Sequence, residues 1–89
     1  MDAVKILIIN TDETPIQIEK YEFTSKDKDQ IKETILSSLN RLGKTAYGLI
    51  KYKDEYWAID HTAQGESISL NYDRHKVTYI PDELLKEFA

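Results

Sequence analysis

The sequence predicts an α+β fold in which one long helix packs on a face of a largely antiparallel sheet of five to six strands. Three observations carry this expectation. Ile31, Ile35, Leu36, Leu39 and Leu42 recur at helical spacing, while the segments on either side alternate or run continuously with β-branched and aromatic residues. The second half of the chain divides into runs that pair as hairpins with their apolar residues gathered on one face. The chain also holds only 3 Gly and 2 Pro, most of which fall at an element boundary. The expected order is β-β-α-β-β-β-β-α, ending in a short C-terminal helix.

Taken in order, Val4-Lys5-Ile6-Leu7-Ile8-Ile9 is a short apolar run that reads as a strand buried on both faces, closed by the polar stretch Asn10 to Pro15. Such a strand belongs at the centre of the sheet, or under the terminal helix on its second face. After Pro15, Ile16 and Ile18 share one parity and Tyr21 and Phe23 the other, so a bulge near Glu19-Lys20, or a strand leaving the sheet, is expected. The helix should run from about residue 25 to 42, with Thr24-Ser25 as its N-cap, Asp27 and Asp29 in its first turn and Gly43 just past its end. Lys28, Lys32, Glu33 and Asn40 fall on its solvent side.

For the first hairpin, a turn at Lys53 to Tyr56 sets Tyr52 against Trp57, Ile50 against Ile59 and Gly48 against His61. Large apolar groups then share an inner face, while Leu49, Lys51, Lys53, Tyr56, Ala58 and Asp60 share the outer one. For the second, a turn at Tyr72 to His75 sets Ile68 against Tyr79 and Leu70 against Val77, with Ser67, Ser69, Asn71, Lys76, Thr78 and Ile80 behind. The stretch His61 to Glu66 is a polar connection between them. Pro81 suits the first turn of the terminal helix, Asp82 and Glu83 complement its dipole, and Leu84, Leu85 and Phe88 form its apolar side.

At 89 residues the chain is one domain, residues 1–89, and its 40% of hydrophobic residues suffice for a core without covalent staples. The absence of cysteine excludes a disulfide framework, a thiolate zinc site and an iron–sulfur cluster. No apolar run approaches the roughly 18 residues of a membrane-spanning helix. The opening Met1-Asp2-Ala3-Val4-Lys5 lacks the basic and long apolar regions of a signal peptide, so a soluble, cytoplasmic protein is expected.

The net charge of −4 is unevenly spread, because residues 41–53 carry Arg41, Lys44, Lys51 and Lys53 and no acid. Duplex nucleic-acid binding needs a coherent basic surface, which a chain of pI about 5.1 does not favour. Lys44, Lys51 and Lys53 nevertheless define an alternative reading as a nucleic-acid-binding module. His61 and His75, with Arg74 or Lys76, are the residues from which a small ribonuclease would be built. Their placement at strand ends and turns equally suits packing beside tyrosine. No metal-ligand spacing, phosphate-cradling glycine loop or nucleophile elbow occurs, so no cofactor, metal or catalytic residue is expected.

What remains is the aromatic set. Tyr52, Trp57, Tyr72 and Tyr79 fall on inner faces, leaving Tyr47, Leu49, Lys51, Lys53 and Tyr56, with the turn acids Asp54 and Glu55, as the expected partner-binding surface. The leading expectation is a small, non-enzymatic protein-binding module, an inhibitor or adaptor of the kind carried by phages and mobile elements.

Overall fold

A computed structural model describes residues 3–43, 45–60, 63–64, 67–68 and 74–89, with Asp60, Ala63, Gln64, Ser67, Ile68, Arg74 and His75 described as backbone alone. Its strands are β1 (Ala3–Asn10), β2 (Gln17–Thr24), β3 (Ala46–Tyr52), β4 (Glu55–Asp60), β5 (Ala63–Gln64), β6 (Ser67–Ile68) and β7 (Arg74–Val77). The helices are α1 (Lys28–Leu42) and α2 (Asp82–Leu85), the latter running into a 3-10 turn, Lys86–Phe88. Five strands form one antiparallel sheet in the order β2-β1-β3-β4-β7, while β5 and β6 pair only with each other. The architecture is α+β, and the described residues hold seven strands where the expected order has six, two of them in this separate ladder.

The centre of the sheet follows from the composition of β1. Ile6 is flanked by Tyr21 and Ile50, Leu7 by Lys20 and Leu49, and Ile9 by Ile18 and Tyr47. Side chains alternate across the pleat, so Val4, Ile6 and Ile8 enter one core and Leu7 and Ile9 enter another. The first core lies under α1, which contributes Ile35 and Leu39, 0% and 3% exposed. The second is closed by the C-terminal segment through Ile80, Leu84, Leu85 and Phe88. A strand with apolar residues on both parities thus sits where both faces are covered.

The same two-faced burial removes the bulge expected in β2. Its pairing with β1 runs without interruption from Gln17 to Thr24. Ile18 serves the second core while Tyr21 and Phe23 serve the first, and Ile16 lies before the strand and is exposed. The change of parity is a change of core, with no irregularity of the backbone.

Helix α1 begins at Lys28, later than the expected residue 25, because Thr24 completes β2. The Thr24 hydroxyl donates to Asp27 Oδ2 at 2.8 Å and the Asp27 amide donates to the Thr24 carbonyl at 3.0 Å, forming a turn ahead of the helix. Thr24 and Ser25 therefore do not cap α1; Asp27 occupies that position. At the other end Gly43 adopts φ 88°, open to glycine at little cost, and its amide bonds the Leu39 carbonyl at 2.9 Å.

The β3–β4 hairpin turns one residue earlier than expected. Lys53 takes the left-handed φ of 54°, so Lys53-Asp54 alone makes the loop and Tyr52 faces Glu55. Ile50 then faces Trp57, and Gly48 faces Ile59 in place of His61. A shift of two residues preserves which face each strand side chain occupies, and so the expected inner and outer sets survive the change of register except at Lys53, which enters the turn.

The second hairpin is corrected. β7 pairs with β4, Val77 facing Tyr56 and His75 facing Ala58, whereas Ser67–Ile68 pair with Gln64 and Ala63. The chain leaves the sheet after Val77 to reach the second face. Tyr79, expected inside, is 77% exposed, and Ile80, expected on the wet side, is buried. Leu70 and Tyr72 lie outside the described residues.

Candidate partner-binding surface

The residues expected to form an exposed row on the hairpin are divided by the fold. Leu49 is 5% exposed and belongs to the second core, with Tyr47 and Tyr56 half-buried against it. The Phe88 ring lies 5.5 Å from that of Tyr56, tilted by 59°, and the Lys5 ammonium donates to the Phe88 carbonyl at 2.8 Å. Lys20 and Glu87 form an ion pair at 2.7 Å that holds the Glu87 carboxyl below its ordinary range. The C-terminal segment is thus fastened across this face, and Tyr47, Leu49 and Tyr56 pack beneath or beside it.

Lys51 and Lys53 diverge. The Lys51 ammonium lies 5.8 Å from the Tyr56 ring centre on the second face, and that of Lys53 lies 5.3 Å from the Tyr52 ring centre on the first. They do not make one basic surface, and Lys44 lies outside the described residues. His61 lies outside them too, and His75 is described only as a backbone position of β7. Among the described residues no three His, Asp or Glu side chains gather as a metal cluster, and no helix is long and apolar enough to cross a membrane.

Lys53, Asp54 and Glu55 remain exposed, and they adjoin a different surface. Five strands at about 4.8 Å spacing span about 19 Å, whereas a helix with its side chains is about 10–12 Å wide. Helix α1 packs on β1 and β3 and shares its core with Ile59 of β4, but it leaves the Trp57 end of β4 only partly covered. There a cleft of about 730 Å³ opens between the start of α1 and the hairpin. Val4, Ile31 and Ile50 form its floor, the half-buried Tyr52 and Trp57 its aromatic wall, and Lys28, Lys32 and Glu55 its rim. Lys28 and Lys32 are one helical turn apart on one side of α1. Glu55 is paired with Lys76 of β7 at 3.2 Å, so the rim carries a positive balance on a chain whose net charge is −4.

Sequence reasoning assigned Tyr52 and Trp57 to the core and Lys28 and Lys32 to solvent. Lys28 and Lys32 are exposed as expected while Tyr52 and Trp57 are only half-buried, and what joins them is the width of one helix against a five-stranded sheet. Comparison of the chain with protein-family models, curated proteins and solved structures gives no match.

Proposed function

We propose that this protein is a non-enzymatic protein-binding module, a cytoplasmic inhibitor or adaptor, that seats an acidic segment of its partner in the cleft between α1 and the β3–β4 hairpin. One observation carries the reading: two half-buried aromatic side chains over an aliphatic floor, bordered by Lys28 and Lys32 on an otherwise acidic chain. Aromatic anchors supply large contact area at small entropic cost, and a charged rim accelerates encounter with a surface of opposite sign. The fitting occupant is a bulky apolar side chain flanked by carboxylates. Of the turn residues, Glu55 lines that cleft and Lys53 lies over the ring of Tyr52, so the proposed binding surface moves from the outer to the inner face of the same hairpin.

The test is affinity capture from the native host, comparing the wild type with Lys28→Glu/Lys32→Glu and with Lys86→Glu, an exposed change on the opposite face. A protein retained by the wild type and by Lys86→Glu, and weakened roughly tenfold or more by the double reversal, supports the reading. Trp57 is the chain's single tryptophan, so its fluorescence should move when that protein is added to the purified chain. Capture of nuclease-sensitive material alone, or of a protein indifferent to the double reversal, would overturn it.

A further inference from the structure

The two edges of the main sheet are unlike. β7 is four residues long, whereas β2 is paired with β1 along all eight of its residues, and among the described residues no strand lies on its far side. A long open edge is a template for another strand unless something guards it, and lysine is a common guard. Lys20 holds that place in β2, but Glu22 follows it two residues on, which puts a carboxylate on the same face of the same edge.

From this edge we infer that two copies of the protein pair antiparallel through β2, in the register centred on Tyr21. In a strand the outward N–H and C=O groups belong to alternate residues, so two identical antiparallel edges can bond only with a residue facing its own copy at the centre. That restricts the choice to a few registers. Centred on Glu19, Lys20 or Glu22, the pairing sets like charges directly against each other, which is unfavourable. Centred on Tyr21, it sets Tyr21 against Tyr21, Glu19 against Phe23, Ile18 against Thr24, and each Lys20 against the second copy's Glu22. The guard becomes a counter-ion, twice over.

The surroundings of the strand suit this register. Lys20 and Glu22 are both exposed on the second face. Glu19 is held on the first face by Arg41, at 2.6 and 2.7 Å, and accepts from the Tyr21 hydroxyl at 2.8 Å, so its charge is already compensated where it meets Phe23. The assembly is a two-fold dimer with one sheet running through both copies, and the interface is isologous. It leaves the cleft on α1 untouched and does not depend on what binds there.

Sedimentation equilibrium of the full chain, from about 10 µM to 1 mM, tests it, since a short strand pair makes a small interface. The expected result is a reversible monomer–dimer equilibrium. Lys20→Glu and Glu22→Lys should each weaken the dimer roughly tenfold or more, by replacing two opposite-charge contacts with two like-charge ones. Combining both substitutions should restore it. Circular dichroism confirms that each variant is folded, and the Lys20–Glu87 pair is lost in the restored variant as in Lys20→Glu, which separates recovery from any effect of that pair. A chain monomeric throughout, a dimer indifferent to the single reversals, or a double reversal that fails to recover the dimer would each overturn the proposal.

Discussion

Replacing Phe88 by alanine is the sharpest test of the second core, because that residue decides whether the hairpin's outer face is open or closed. Phe88 is 3% exposed. Emptying a rigid phenylalanine site costs about 3–5 kcal/mol, and loss of an aromatic pair such as that with Tyr56 adds to the burial term. A short segment docked through few side chains can instead come away from the sheet, and then the loss is limited to what its docking contributes. That contribution includes the Lys5 bond to the Phe88 carbonyl, worth about 0.5–1.5 kcal/mol, and the burial that Leu84 and Leu85 share with it. The expected cost is therefore about 2–4 kcal/mol, set against a total of roughly 4–13 kcal/mol for a domain of this size. Urea unfolding followed by circular dichroism should show a lower midpoint, with a slope close to the wild type's if the rest of the sheet holds. A dye that binds exposed apolar surface should bind the variant more strongly, since Leu49, Tyr47 and Tyr56 lie under the released segment. An unchanged midpoint would refute the closure of the second face by the C-terminal segment.

On the other face, Leu39→Ala should cost about 2–5 kcal/mol, and because the sheet separates it from Phe88 the two losses should add to within about 0.5 kcal/mol in the double variant. A silent Leu39→Ala in urea melts would contradict the packing of α1 on the sheet. The Glu19–Arg41 pair gives a pH signature. Its hydrogen bond from Arg41 holds the Glu19 carboxyl below its ordinary value of 4.5, so the pair's contribution is present above that value and lost as pH falls through the lower, folded one. The difference in urea midpoint between wild type and Arg41→Gln should be full at neutral pH and close in the acid range below 4.5, and a difference that stays constant would rule the linkage out.

The parts of the fold legible in the sequence are those where one pattern had one physical solution. Val4 to Ile9 is apolar on both parities, and only a central strand covered on both sides satisfies it, which is where β1 lies. Ile35 and Leu39 recur at the spacing that one covered helix face requires, and they are buried as expected. The β3–β4 hairpin kept its faces despite a wrong register, because the pleat repeats every two residues. The failures have a common cause in partners that local pattern does not specify. Ile68 and Leu70 in one run and Val77 and Tyr79 in the other alternate with polar neighbours, and so the two runs could be paired on paper. In the fold, β7 takes the open edge of β4 and the chain then needs Tyr79 and Ile80 to span the sheet's rim, exposing one and burying the other.

The expected binding row is divided by the fold for the same reason, and the cleft on the other face is a matter of geometry that local pattern does not specify. Leu49 and Tyr56 look like a binding row only while the C-terminal apolar set, Leu84, Leu85 and Phe88, is not extended from the second face of β1 across the hairpin. Once it covers them, the second face is spent on stability, and the first face is covered only as far as one helix reaches. Position in the sheet then separates residues of similar composition: Leu49, beside Leu7 of β1, is 5% exposed, while Trp57, one strand further out on the other face, stands half-buried at the cleft. Among the described residues, a five-stranded sheet with one helix on it leaves two kinds of open surface, the strip of face beside Trp57 and the backbone of its longer edge. The lysines at the first and the Lys20–Glu22 alternation at the second are the charge patterns on which the two proposals rest.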